Sequence, residues 1–203
     1  MMKNRRVVLL GLFILCVAVS CGGCSIKHMV SDDYPQYLVN NQDLSKFPKT
    51  QYMAEYLLTQ NTINHHYEFR AAMTGYAHLW IVEFGKMMET TLESADMQAA
   101  FKRLTKAVGD GTSSAMIMKY DLIDYQFEGF EARVKLRVSV AKTGVTIFDK
   151  TYFEKGLSQG GKMFWAGAFG MKNAIQQSTK SAIDKVLIPV SSTHLTLPTT
   201  YSV

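Results

Sequence analysis

Glu131-Ala132-Arg133-Val134-Lys135-Leu136-Arg137-Val138-Ser139-Val140 is the stretch that decides how this 203-residue chain is read. Its even positions are apolar and its odd positions polar. A period of two is the pattern of a strand with one face buried and the other in water. Upstream, Met116, Met118, Tyr120 and Leu122 alternate in the same way, and the pattern resumes one residue out of phase at Ile123, Tyr125 and Phe127. A slip of one inside a long strand predicts a bulge. Glu128-Gly129 supplies a turn between these two strands, and Lys142-Thr143-Gly144 closes a second hairpin onto a returning arm. The expectation is an antiparallel meander over roughly 115–127, 130–141 and 145–154.

A sheet face of Val134, Leu136, Val138 and Val140 must be covered, and the flanking sequence offers helices to cover it. Between 77 and 95, Leu79, Ile81, Val82, Phe84, Met88, Leu92 and Ala95 fit one helical face, with Glu83, Lys86, Glu89 and Glu93 opposite. Residues 97–108 continue the theme through Ala100, Phe101, Leu104 and Val108, with Ser94 or Asp96 as cap and Gly109-Asp110-Gly111 as stop. After the meander, Phe164, Ala168, Met171, Ile175, Ala182 and Val186 predict a last helix that turns Lys172, Gln176, Lys180 and Asp184 outward and ends at Pro189. Gly167 and Gly170 inside it suggest a turn lying close against the sheet. Two short strands are expected over 52–58 and 66–71, joined by a polar turn. The fold class is therefore α/β in the α+β sense: an antiparallel meander with amphipathic helices packed on one face.

The N-terminus speaks to location. Met1 to Arg6 is basic, and Val7 to Val19 is an uncharged apolar run too short for a spanning helix, which needs about 20 residues. Such a stretch matches the core of an export signal. Val17-Ala18-Val19-Ser20-Cys21 resembles the lipobox of bacterial lipoproteins, which implies cleavage before Cys21 and lipid on its sulfur; Cys24 is a poorer candidate. More than one acyl chain gives stable anchoring. Cys16 belongs to the leader, and no cysteine follows Cys24, so neither a disulfide framework nor a zinc–cysteine site is available to the body. The domain reading is a signal peptide at 1–20, a lipidated N-terminus and tether at 21–50, one domain at 51–189 and a Thr-rich tail at 190–203. The tether has a second course open to it, since Tyr34, Tyr37 and Leu38 are residues that dock onto a body.

Composition is that of a globular chain, 47% hydrophobic and 19% charged, with a formal charge of +5. Lys3, Arg5 and Arg6 lie in the leader; the remainder carries 19 basic against 17 acidic residues. A net +2 gives no electrostatic claim on nucleic acid. Chemistry-bearing motifs are sparse. His65, His66, Glu68 and His78 match no standard metal spacing. The glycine-rich run Gly156 to Lys162 lacks the hydroxyl of a P-loop, since Met163 follows the lysine. Asp121 and Asp124 do not form a carboxylate pair. No catalytic residue, metal or cofactor is expected. Arg133, Lys135 and Arg137, in a row on the wet side of one strand, are candidate interaction residues, as is Trp165 beside Phe164 and Phe169.

On Ala132 to Val140, Gly144 to Phe153 and the helix ending Ser181 to Leu187, behind the Cys21 lipobox, the chain resembles small bacterial outer-membrane lipoproteins, namely the YajG-type lipoproteins and the PqiC-type auxiliary lipoproteins of ABC transport systems. The resemblance implies a non-catalytic α/β domain on the periplasmic side of the outer membrane, anchored through N-terminal lipid. Its work would be lipid transport or envelope assembly, as a homo-oligomer or within an envelope protein complex. Gly22 is compatible with outer-membrane sorting. The alternative expectation is a binding protein for a lipid or other hydrophobic ligand, with Met87, Met88, Met116, Met118 and Met171 lining an adaptable pocket. A continuous apolar cavity of ~300 Å³ or more would favour that alternative.

Overall fold

A computed structural model of the chain describes residues 25–109, 116–159 and 163–193. In chain order the elements are β1 (Ile26–Met29), α1 (Tyr34–Asn40), β2 (Met53–Leu58), α2 (Gln60–Ile63), β3 (Tyr67–Phe69) and a 3-10 turn at Ala72–Thr74. There follow β4 (His78–Val82), α3 (Phe84–Glu93), α4 (Ala95–Ala100) and β5 (Arg103–Lys106). The meander is β6 (Met116–Glu128), β7 (Glu131–Lys142) and β8 (Val145–Leu157), and α5 (Met163–Thr193) closes the described chain.

The three expected antiparallel strands form as the period of two requires. All five even-numbered apolar residues of β7, from Ala132 to Val140, are buried. The bulge falls where the alternation slips: Leu122 pairs with Leu136 and Asp124 with Lys135, so Ile123 is the extra residue and is pushed into solvent. Each tight turn places both central residues at positive φ, Gly129 with Phe130 and Thr143 with Gly144, the geometry whose twist matches the strands. The mixed fold with helices against a sheet is thus borne out, with two additions. The meander is extended by β2 and β5, which run parallel beside β6 in the order β5-β2-β6-β7-β8, and a second sheet has the order β1-β4-β3.

Four expectations need correcting. Residues 78–82, expected to open a helix, form β4, the central strand of the small sheet; the helix begins only at Phe84. His-Leu-Trp-Ile-Val is rich in aromatic and β-branched residues and fits either period over so short a run; pairing with β1 and β3 decides it. Likewise the segment 97–108 is helical only to Ala100, then turns into β5 along β2, leaving Val108 exposed. Ser94 does cap α4, accepting a hydrogen bond from the Met97 amide. Third, α5 runs through Pro189 to Thr193, with Val190 and Ser191 buried, so the body reaches past the expected start of the tail. Fourth, Gly167 is exposed with open space around it; it is needed for its φ of 53°, which breaks α5 into two helical parts, not for contact with the sheet.

The N-terminal segment takes the docking course. Its described part is no tether: β1 pairs with β4, and Tyr34, Leu38 and Phe47 are buried in the core. The reason lies on α5, whose expected outward stripe is covered. Lys172 pairs with Asp33, Gln176 Nε2 donates to the Val30 carbonyl at 3.1 Å, and Lys46 pairs with Asp184. Gln176, Lys180 and Asp184 are buried. The long helix therefore lies between the five-stranded sheet on one side and residues 30–47 on the other.

The core holds several tyrosines whose phenols pay a desolvation cost to ionise. Burial pushes Tyr34, Tyr120 and Tyr125 well above the ordinary value of 10.0. A pKa raised on folding gives stability that is present below the unfolded value and is lost as pH rises beyond it. Alkaline titration should therefore show part of the tyrosinate absorbance appearing late and together with loss of helical circular dichroism. A smooth titration near pH 10 with the helices intact would contradict this packing.

Candidate interaction surface

The outer face of β6, β7 and β8 carries the odd-numbered residues of β7, and with them the candidate basic row. Arg133 Nη1 pairs with Glu128 Oε2 at 3.0 Å. Arg137 forms a two-pronged pair with Asp149, Nε to Oδ1 at 2.8 Å and Nη2 to Oδ2 at 2.5 Å. The hydrogen bond from Arg137 lowers the Asp149 carboxyl below its usual range, and Asp149 in turn raises Arg137. Lys135 stands in register between Asp124 on β6 and Phe153 on β8. Asp121 lies opposite Arg137, and Glu128 opposite Glu131. Arg133 and Arg137 are thus held in cross-strand charge pairs of modest strength and Lys135 stands in register beside an acid, so the row is not an unbalanced positive stripe. Anion binding is not what its geometry favours.

Apolar surface gathers on the third strand of the meander instead. Phe153 is 61% and Leu157 59% exposed, and Ile147 and Val145 are also exposed. β8 is the last strand of its sheet, so one of its edges carries no strand among the described residues. Phe169, past the break in α5, is 87% exposed. Trp165 lies in the first turn of α5, but its side chain and that of Phe164 fall outside the described residues, as do Cys21, the leader and most of the tail.

A second cluster escaped the sequence reading. Lys180 Nζ lies 3.0 and 3.1 Å from the two oxygens of Asp184 and 3.9 Å from Asp96, and Lys46 pairs with Asp184 from the other side. Asp96 Oδ1 accepts the Asp43 amide at 2.9 Å. Burial lowers the Lys180 amine from its ordinary value, against the pull of Asp184 and Asp96. The signal was present as the four-residue spacing of Lys172, Gln176, Lys180 and Asp184, which is also the spacing of any solvated stripe. Enclosed and internally matched in charge, the cluster ties the N-terminal segment to α5.

Among the described residues the histidines lie in three separate places. His66 Nε2 meets Glu68 Oε1 at 2.7 Å at the surface, while His65 packs edge-on to Phe84 and Tyr125. His78 stacks with His28, their ring nitrogens 2.7 Å apart, and His28 stacks in turn on Trp80. Among the described residues no three metal-ligating side chains gather. Among the described residues, two of the surface clefts are open to a ligand. One, of about 250 Å³, is lined by Pro35, Leu38, Val39, Thr90 and Glu93; the other, of about 280 Å³, by Phe69, Met73, Phe127, Phe130 and Met171. Both lie at the lower end of the size of small-molecule pockets, which begin at about 300 Å³. Of the five methionines expected to line one, Met171 lies at the second of these clefts, while Met87, Met88, Met116 and Met118 are buried in the core. Among the described residues no helix is long and apolar enough to cross a membrane.

No protein-family model matches the chain, and no curated protein is significantly similar to it. Among solved structures, it is similar to the crystal structure of a Xanthomonas campestris protein of the family designated DUF330, at 7% identity and a TM-score of 0.45, over 71% of this chain and 86% of that one.

Proposed function

We propose that this chain is a lipid-anchored periplasmic protein that works by binding rather than catalysis, as a subunit or assembly factor of a cell-envelope complex, in the manner of the YajG-type or PqiC-type auxiliary lipoproteins. The observation that carries the reading is the N-terminal sequence: a basic start, an uncharged apolar run and Val17-Ala18-Val19-Ser20 directly before Cys21. Lipid on Cys21 would hold the chain at the outer membrane, the sorting that Gly22 permits. An interaction role is supported by the exposed Phe153, Leu157 and Phe169. Clefts of about 250 and 280 Å³ give no comparable support to storage of a hydrophobic ligand.

Metabolic labelling with a palmitate analogue should mark the wild-type protein, and Cys21→Ser should lose the mark and leave the membrane fraction. Wild-type protein captured from detergent-solubilised envelopes should bring a partner with it, and Trp165→Ala should reduce that recovery severalfold. A full-length, unlabelled protein in the cytosol ends the lipoprotein reading. Capture of no other envelope protein ends the complex-subunit reading.

A further inference from the structure

Among the described residues one edge of β8 carries no strand, and its charges reverse sign when the strand is read in the opposite direction, a self-complementarity that names an occupant. Laid antiparallel against a second β8 with the two Tyr152 residues opposite each other, Lys150 meets Glu154 and Asp149 meets Lys155. Two-fold symmetry makes each pair twice. In the same register Thr151 meets Phe153 and Phe148 meets Gly156. Shifting by one residue in either direction sets Asp149 against Glu154 or Lys150 against Lys155, like against like, and turns the buried face of the strand outward. The sequence of this one strand therefore favours a single register and penalises its neighbours.

The surroundings favour this pairing at one end of the strand and ask for one exchange at the other. Lys155 stands in register beside Arg133, a like charge on the adjoining strand, so an incoming Asp149 would relieve it. Lys150 Nζ lies 4.7 Å from the Tyr152 ring centroid, at the centre of the edge. Lys185 Nζ donates to the Lys155 carbonyl at 2.5 Å, so that carbonyl already bonds to a donor other than β7. A lysine on a bare edge is a familiar guard against unwanted strand pairing, and here it must give way to a partner's backbone N–H. Exposed apolar side chains at Phe153 and Leu157 would be partly covered by such pairing.

We propose that β8 is a homodimerisation strand, joining two copies into one continuous ten-stranded sheet through an antiparallel β8–β8 pair centred on Tyr152, an isologous contact. This goes beyond the tethered-subunit reading and does not depend on lipid. The test is the mass of the full chain in detergent by sedimentation, for wild type and for Cys21→Ser alike. Both should be dimeric. Lys150→Glu, which makes two like-charge contacts by symmetry, should weaken association roughly tenfold or more. Lys150→Glu combined with Glu154→Lys should restore it. Lys150→Glu mixed with Glu154→Lys should pair with each other in preference to themselves. Circular dichroism identifies any variant that fails to fold, and the double variant then carries the test. A monomeric wild type overturns the proposal, as does an oligomer, or a complex with another envelope protein only, that the charge reversal leaves unchanged.

Discussion

Gly156→Ala should remove much of the stability of the fold. A Cβ at this position would sit 1.7 Å from the Ser178 carbonyl oxygen and 2.7 Å from the Ala182 amide nitrogen, both of them helix backbone. No rotamer change relieves such a clash; α5 must shift off β8, and the packing of Ile175, Ala182 and Val186 shifts with it. Overpacking of this kind costs about 3–5 kcal/mol where backbone has to move, against about 5–15 kcal/mol for a whole domain. The melting temperature should fall by roughly 6–20 °C. Thr151→Ala, on an exposed position of the same strand, should leave it nearly unchanged. If Gly156→Ala melted with the wild type, the helix would not approach the strand as closely as described.

Asp184→Ala is the second large effect, and it depends on pH. Removing the carboxylate leaves Lys180 buried with only Asp96 at 3.9 Å, and Lys46 without its partner. Stranding a buried charge costs about 3–5 kcal/mol. The sign follows from proton binding. Burial already lowers the Lys180 amine below its ordinary 10.5, and loss of Asp184, which raises it, lowers it further. A basic group with a lower pKa in the folded state makes the unfolded chain bind more protons, so stability rises with pH between the folded and unfolded values. Urea unfolding of both proteins across a pH series should show the deficit of Asp184→Ala shrinking as pH climbs toward about 10. Lys180→Met in the same chain should recover much of the loss at neutral pH. A deficit that stays constant with pH would show that the uncompensated amine is not its source.

What the sequence disclosed follows from how local each decision is. The meander was legible because alternation in β7, the slip at Ile123 and the turn residues are each read within a few positions and agree. β4 and β5 were not, because Leu79-Trp80-Ile81-Val82 and Arg103-Leu104-Thr105-Lys106 suit more than one period and are fixed by distant partners. The parallel pairing of β2 with β6 joins residues some sixty positions apart and leaves no local trace. Polar letters misled most on α5. Lys172, Gln176, Lys180 and Asp184 look like a wetted stripe, yet each finds a mate in the first half of the chain or beside it, so the helix is enclosed on both sides. Of the candidate contact residues, the row of Arg133, Lys135 and Arg137 was placed on the correct face, while the neutralising acids on β6 and β8 became visible only through register.

Docking of residues 26–47 has a geometric corollary for any acyl group on Cys21. Only four positions separate that cysteine from Ile26, where β1 begins. Five steps of extended chain reach no more than about 18 Å. Such a leash is too short to let the body roam. It would hang the small sheet beside the lipid headgroups, and everything the protein reaches would have to come to it within that narrow layer.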